Sequence, residues 1–210
     1  IILFTVIVKL ILFPLSKKAV RTQALMRVVE PELRAIKEKY KDDKQRQAVE
    51  TMKLYKEKQI NPFSSILLLF IQLPILFAIY KIIYSTGFSS IHTEILYSFV
   101  SAPESISTLF LGFVDVVAKK NIVFALIAAA SQYFQIKLSM PALPPKTPGG
   151  GFQDDLARNM QTQMKYVFPI MIFFTSYGFP TALAIYWITS NLFMIAQELY
   201  IRKQMARESK

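Results

Sequence analysis

Four stretches of the chain are free or nearly free of charge, near 1–16, 63–80, 122–136 and 166–197, and a charge-dense block at 17–60 separates the first two. Each apolar run is a candidate membrane span. The first, IILFTVIVKLILFPL, is interrupted only by Lys9. Because the chain opens inside apolar sequence, an upstream part is expected to be missing. A signal peptide is the weaker reading, with no charged n-region or small-residue cleavage site in view. The last run holds 32 residues, which as one helix would be about 48 Å long against a hydrocarbon core of about 30 Å. Gly178-Phe179-Pro180 falls near its middle, where proline cannot continue a helix, so two helices joined by a tight turn are predicted. Extension through Met160–Lys165 at one end and Glu198–Tyr200 at the other restores spanning length. The total becomes five spans.

Inside the charged block the apolar residues recur at helical spacing: Val29, Leu33, Ile36 and Tyr40 on one stretch, Ala48, Met52 and Tyr55 on the next. This predicts two amphipathic helices. Pro31 suits a first-turn position after Glu30, Lys41-Asp42-Asp43 supplies a turn and an N-cap, and Asn61-Pro62 stops the second helix. The expected architecture is an all-α membrane protein, a five-helix transmembrane bundle with a cytoplasmic antiparallel helical hairpin. Its spans lie at 1–16, 63–84, 122–138, 164–178 and 181–201. The hairpin lies at 17–62, an outer loop at 85–121, a cytoplasmic loop at 139–163 and a basic tail at 202–210.

Composition sharpens this picture. The 210 residues are 53% apolar, yet Lys and Arg number 25 against 14 Asp and Glu, a net charge of +11, with a mean hydropathy of +0.34. Greasy and basic together indicate a membrane protein with one charged side. With no Cys and one His, disulfides, thiol chemistry and a His-rich metal cluster are excluded, and no cofactor is expected. Block 17–60 carries thirteen Lys and Arg, 137–165 four and 202–210 four, whereas 85–121 holds only Lys119 and Lys120. Five spans put the first three segments on one face, which the positive-inside bias makes cytoplasmic. The N-terminus and the 85–121 loop then lie outside. That loop's His92, Glu94, Glu104 and Asp115 show no metal-like or acid/base spacing, and its apolar residues around Leu109–Val117 are suited to lie along the membrane surface. The Pro/Gly-rich PALPPKTPGGG at 141–151 reads as a mobile loop, with Asp154 and Asp155 placed to cap the helix after it. The hairpin's charge reads as a solvated face attracted to anionic lipids. Nothing marks a nucleic-acid interface, and DNA is not an expected partner.

Lys9 is the informative position, since a cation at the centre of a membrane helix costs roughly 2.5–3.5 kcal/mol on insertion scales. It lies about 12 Å inside the boundary marked by Lys17 and Lys18. Either its side chain snorkels to the headgroups, or it stands in a water-filled cavity open to the cytosol. Other polar groups in the spans, Thr5, Gln72, Gln132, Gln135, Ser190, Asn191 and Gln197, each fit helix–helix hydrogen bonding, but together they favour a wet interior. No carboxylate is read into any span, which argues against a proton relay or ion-coupled pump. Pro74, Pro169 and Pro180 keep the bundle loosely packed. A small-molecule or ion transporter is the alternative, though no inverted repeats appear. An intramembrane enzyme has less support, Lys9 with Ser190 being only a nominal dyad.

VIVKLILFPLSKKAVRTQALM, then EPELRAIKEKYKDDKQRQAVETMKLYKEKQINPFSSILLLFIQLPILFAIY, and later FPTALAIYWITSNLFMIAQELYIRK resemble the core of the YidC/Oxa/Alb membrane protein insertases over nearly the whole chain. The most specific pieces are KYKDD…MKLYK and the closing FP…L..YW..SNL…Q, which contains Trp187. The resemblance implies a non-enzymatic insertase of the bacterial inner membrane, with a hydrophilic groove open to cytosol and lipid but closed outside. A client's polar flank waits in that groove while its hydrophobic segment slides along the second and fourth spans. Lys9 occupies the position of a cation that is usually Arg, and Thr5, Gln72, Gln132, Gln135, Trp187, Ser190 and Asn191 complete the implied groove. The implied partners are nascent membrane proteins, the ribosome, the Sec translocon and the signal recognition particle receptor. Lys in place of Arg, and Lys81 near the outer end of the second span, depart from the pattern.

Overall fold

In the computed structural model, which describes residues 1–61, 74–81, 97, 99, 101, 107–140 and 159–208, the first helical stretch is interrupted at Leu12, just ahead of Pro14. Helix α1, Ile2–Ile11, ends at Leu12, whose N–H donates to the Val8 carbonyl at 3.0 Å. Helix α2, Phe13–Val28, begins at once with Pro14 in its first turn, where a missing N–H has no partner to lose. The expected change at 16/17 from span to hairpin is therefore not a helix end. One helix carries the chain from apolar into charged sequence.

Helix α3, Glu30–Lys39, has Pro31 in its first turn. Helix α4, Lys44–Glu57, is capped by Asp43, whose carboxylate accepts from the Arg46 N–H at 2.9 Å. Both match the pattern in the sequence. The two helices run in opposite directions, with Lys58 paired to Glu32 at 2.9 Å and the Gln47 amide reaching the Lys37 carbonyl at 3.3 Å. Val29, Leu54 and Ile60 are buried between them and α2, with Leu25, Met26, Leu33, Ile36 and Tyr55 against this core. The expected stripe on α4 is corrected here: Ala48 is exposed and Met52 is 50% exposed. The inward face runs through Gln47, Glu50, Thr51, Leu54 and Tyr55, a helical stripe whose first turns are polar and so invisible to a hydrophobic pattern. Replacing Asp43 by Ala should cost about 1 kcal/mol of α4 stability. Faster amide exchange confined to the first turn of α4 would show it.

Residues 74–81 form helix α5. Ile79 is buried against Leu183 and Tyr186, with Ile75, Leu76, Phe179 and Trp187 around them. The expected second span is otherwise outside the described residues, as are Gln72, His92, Glu94, Glu104, the 141–151 segment, Asp154 and Asp155. The described residues are mostly helical, in keeping with the all-α expectation, and add one small antiparallel hairpin, β1 (Leu109–Phe110) and β2 (Val114–Asp115), pairing Leu109 with Asp115 and Phe110 with Val114.

Helix α6, Ile122–Ser139, starts at Asn121, whose side chain accepts from the Phe124 N–H at 3.2 Å. Among the described residues it is the one helix both long and apolar enough to cross a membrane, with a mean hydropathy of 1.4. A helical turn at 159–162 and a π turn, Gln163–Val167, lead into α7, Phe168–Gly178. After Phe179-Pro180 comes α8, Thr181–Glu208, so the turn falls where Gly and Pro placed it. Residues 202–208, expected as a tail, continue that helix. Ala125 and Ala128 of α6 and Ala182 and Ala184 of α8 are fully buried, and the Ala128, Ile172 and Ala184 cluster joins α6, α7 and α8. Small residues at such contacts let helix backbones approach closely. The first N–H groups of α8 are satisfied by the segment after β2: Thr181 donates to the Ala118 carbonyl at 2.9 Å and Ala182 to that of Val116 at 2.8 Å.

Candidate functional site

Apolar residues are exposed on the outer faces of the helices, and polar side chains are buried beside the apolar core. Leu3, Leu10 and Ile11 on α1, Val123 and Leu126 on α6, Ile170 and Phe174 on α7, and Leu192 and Leu199 on α8 are exposed, while Gln132, Asn191, Gln197 and Glu198 are buried. Apolar outer faces with polar groups buried between the helices suit a lipid environment, where each buried polar group must find a partner inside the protein.

Those partners form a seam between α6 and α8. Near its middle, the Asn191 amide donates to the Ser131 hydroxyl at 3.0 Å, and Ser131 donates to the Ala128 carbonyl at 2.8 Å. From the next residue, Gln132 donates to Gln135 at 3.2 Å and Gln135 to the Ser139 hydroxyl at 3.0 Å. Ser139 in turn donates to the Glu198 carboxylate. The residues recur every three or four positions along α6, so one face of that helix carries the series.

At the far end, Glu198 is only 4% exposed and is held by two arginines. Arg202 approaches one carboxylate oxygen at 2.6 Å and Arg27, from α2, at 3.7 Å. Both guanidinium groups also donate to the Leu138 carbonyl, and Arg27 to that of Met140 at 2.7 Å. The carbonyls that end α6 thus receive the cations that its dipole favours. Burial draws the Arg27 guanidinium below its ordinary pKa while Glu198 opposes the shift; a guanidinium stays charged throughout. A second tie, from the Gln197 amide to the Ser16 hydroxyl, joins α8 to α2.

The expected bounds 181–201 of the fifth span themselves include a carboxylate, Glu198, against the reading that none lies in a span. The uncharged run stops one residue before it, so the charge pattern alone makes it a flank. The i, i+4 pair Glu198/Arg202 and the Ser131, Gln132, Gln135, Ser139 series are its signals in the sequence. Arg27, more than a hundred residues away in the chain, leaves none.

Of the expected groove residues, Gln132, Gln135 and Asn191 join this seam. Ser190 is buried beside Asn191, and Trp187 packs against both the Ile79 and the Ala128 clusters. Thr5 is buried, with its hydroxyl donating to the Ile1 carbonyl of its own helix at 2.8 Å. Lys9 is half-buried one turn further along α1.

The family model for the 60Kd inner membrane protein matches residues 1–208. The chain is 37% identical over 209 residues to the membrane protein insertase YidC of Clostridium tetani, covering all of this chain and 83% of that protein. It is 32% identical over 206 residues to the protein of the same name in Fusobacterium nucleatum, covering 98% and 86%. In Pelobacter propionicus the insertase is 28% identical over 204 residues, and there the chain spans only 34% of the relative's length. The chain belongs to the 60Kd inner membrane protein family, whose matched relatives are membrane protein insertases of the YidC type.

Proposed function

We propose that this chain is a membrane protein insertase of the bacterial inner membrane that carries the polar flank of a client past the hydrocarbon and releases its apolar segment into lipid. The observation that carries the reading is the polar seam: side chains hydrogen-bonded along the contact of α6 and α8, inside helices whose outer faces are apolar. A polar flank crossing bare hydrocarbon meets no hydrogen-bond partner, and each polar group stripped of water without replacement costs on the order of several kcal/mol. A hydrated groove beside such a seam lowers that cost.

In this reading five spans place α2 from Lys17 onward beyond the membrane boundary, with α3, α4 and the end of α8, on the cytoplasmic side. Lys9 attracts acidic residues of the client's flank, and Thr5, Gln72, Gln132, Gln135, Trp187, Ser190 and Asn191 surround its path. The α3–α4 pair and the Arg202–Arg207 end of α8 offer the surface that meets a ribosome, a Sec translocon or a targeting receptor. The family is not one of enzymes, and no bond is made or broken. Release is downhill because apolar area leaves water for lipid at about 25 cal/mol per Å².

The test is insertion of a single-span client into proteoliposomes containing only this chain, with a photocrosslinker at Gln135 in one preparation and at Val123 in another. The client's polar flank should crosslink at Gln135 and not at Val123, which faces outward. Insertion no better than in empty liposomes, or adducts to the flank at Val123 alone, would refute the proposal.

A further inference from the structure

The hairpin between α5 and α6 has a use that the insertion path does not absorb. Its two faces differ: Phe110 and Val114 turn inward, Val114 being buried, while Leu109 is exposed and Leu111 and Phe113 at the tip are 71% and 76% exposed. Leu111 (φ 55°) and Gly112 (φ 82°) both take left-handed backbone, and the Phe113 N–H closes the turn on the Phe110 carbonyl at 3.3 Å. Glycine adopts this conformation readily, leucine does not. A leucine held there, with its side chain in the open, is an outlier of the kind that marks a functional contact.

The position of the hairpin says what that contact is. The Val116 N–H donates to the Thr108 carbonyl at 2.9 Å, and the Val116 and Ala118 carbonyls take the first N–H groups of α8. The Lys120 N–H also bonds the Tyr177 carbonyl at 2.9 Å. The base of the hairpin is therefore fixed to the turn between α7 and α8. From there it folds back along the bundle: Phe110 lines an apolar cavity of about 360 Å³ together with Ile2, Phe124, Ile185 and Phe193. Ile185 is four residues into α8, about 6 Å below the turn, and Phe193 is about 18 Å below it. The hairpin thus lies against the side of the helices at the depth of their lipid-facing residues, beside α6, whose Val123 and Leu126 are exposed.

We propose that the Leu111–Phe113 tip is an anchor in the outer phospholipid leaflet, seated at the boundary between headgroups and acyl chains. This rests on the reading above that the α7–α8 turn faces outward from the membrane. A short apolar projection beside charged residues is what that boundary accepts, apolar atoms reaching the acyl region and polar ones staying in the headgroup layer. Asp115, exposed opposite Leu109, and Lys119 and Lys120 provide the polar side. Because the same hairpin is bonded to the start of α8, the anchor holds the outer ends of α7 and α8 at a fixed depth.

The chain contains no cysteine, so a spin label at Phe113→Cys reports that position alone in the full chain reconstituted in phosphatidylglycerol/phosphatidylethanolamine liposomes. Oxygen, which concentrates among acyl chains, should relax this label more than a water-soluble nickel chelate does. The exposed Glu57→Cys label on α4 should show the reverse. Greater access to the chelate at Phe113 would overturn the proposal, and so would a label shielded from both reagents, which would mean that protein covers the tip. A Val123→Cys label separates the two levels. Oxygen-favoured relaxation there with a wet Phe113 sinks the anchor alone, whereas a wet Val123 sinks the membrane reading on which it rests.

Discussion

Replacing Glu198 with Ala is expected to destabilise the folded chain by about 3 kcal/mol, the lower end of the range for removing one partner from a buried ion pair. The lower end applies because the arginines it balances are not fully enclosed, their side chains being 23% exposed at Arg27 and 33% at Arg202. Both would keep their hydrogen bonds to the Leu138 carbonyl. They would also stand close together without the carboxylate that now lies between them, and the Ser139 hydroxyl would lose its acceptor. Glu198→Gln loses the charge and one of the two acceptor oxygens, which becomes an NH2 donor, but keeps one acceptor for the cluster, so its cost should be smaller than that of Ala. Urea or thermal unfolding in detergent micelles, followed by far-ultraviolet circular dichroism, measures both. Equal stability of the Ala variant and the wild type would mean that the cluster is ornamental. The same cost for Gln and Ala would mean that charge, not hydrogen bonding, carries it.

Lys9→Ala should lower insertion of clients whose translocated flank is acidic, and leave those with a neutral flank close to wild type. At an effective dielectric of about 20, unit charges about 8 Å apart attract by about 2 kcal/mol, a factor of roughly thirty in occupancy. Lys9→Glu should be worse, because attraction becomes repulsion of similar size. Lys9→Arg should restore insertion, since the interaction needs a cation at that depth rather than an ammonium in particular. Protease protection of the translocated flank, with paired acidic and neutral clients, checks all three variants. An equal fall for acidic and neutral clients would assign Lys9 to the stability of α1 instead.

The legible parts of the sequence are its strong local signals. Pro31, Asp43 and the Phe179-Pro180 turn act within one turn of helix, and each sits where its chemistry places it. The family, too, is legible in the motifs around Lys9 and Trp187. What escapes depends on residues far apart in the chain. Arg27 meets Glu198 only because α2 returns beside α8, and no spacing rule links them. The inward face of α4 stays hidden because Gln47, Glu50 and Thr51 occupy it, and a search for apolar periodicity slides to Ala48 and Met52. The β hairpin escapes because strands of two residues leave no alternation to detect; Gly112 is its single mark.

The last helix runs through twenty-eight residues without a break, about 42 Å, which outreaches the hydrocarbon by about 12 Å. In the five-span reading proposed above it is a lever with one arm in the cytosol. Its free end is tied to α2 through Arg21 and Glu208 at 3.0 Å, and its other end is pinned under the carbonyls of Val116 and Ala118. A tug on the charged arm, by whatever grips it, reaches the opposite side of the membrane without a hinge to absorb it.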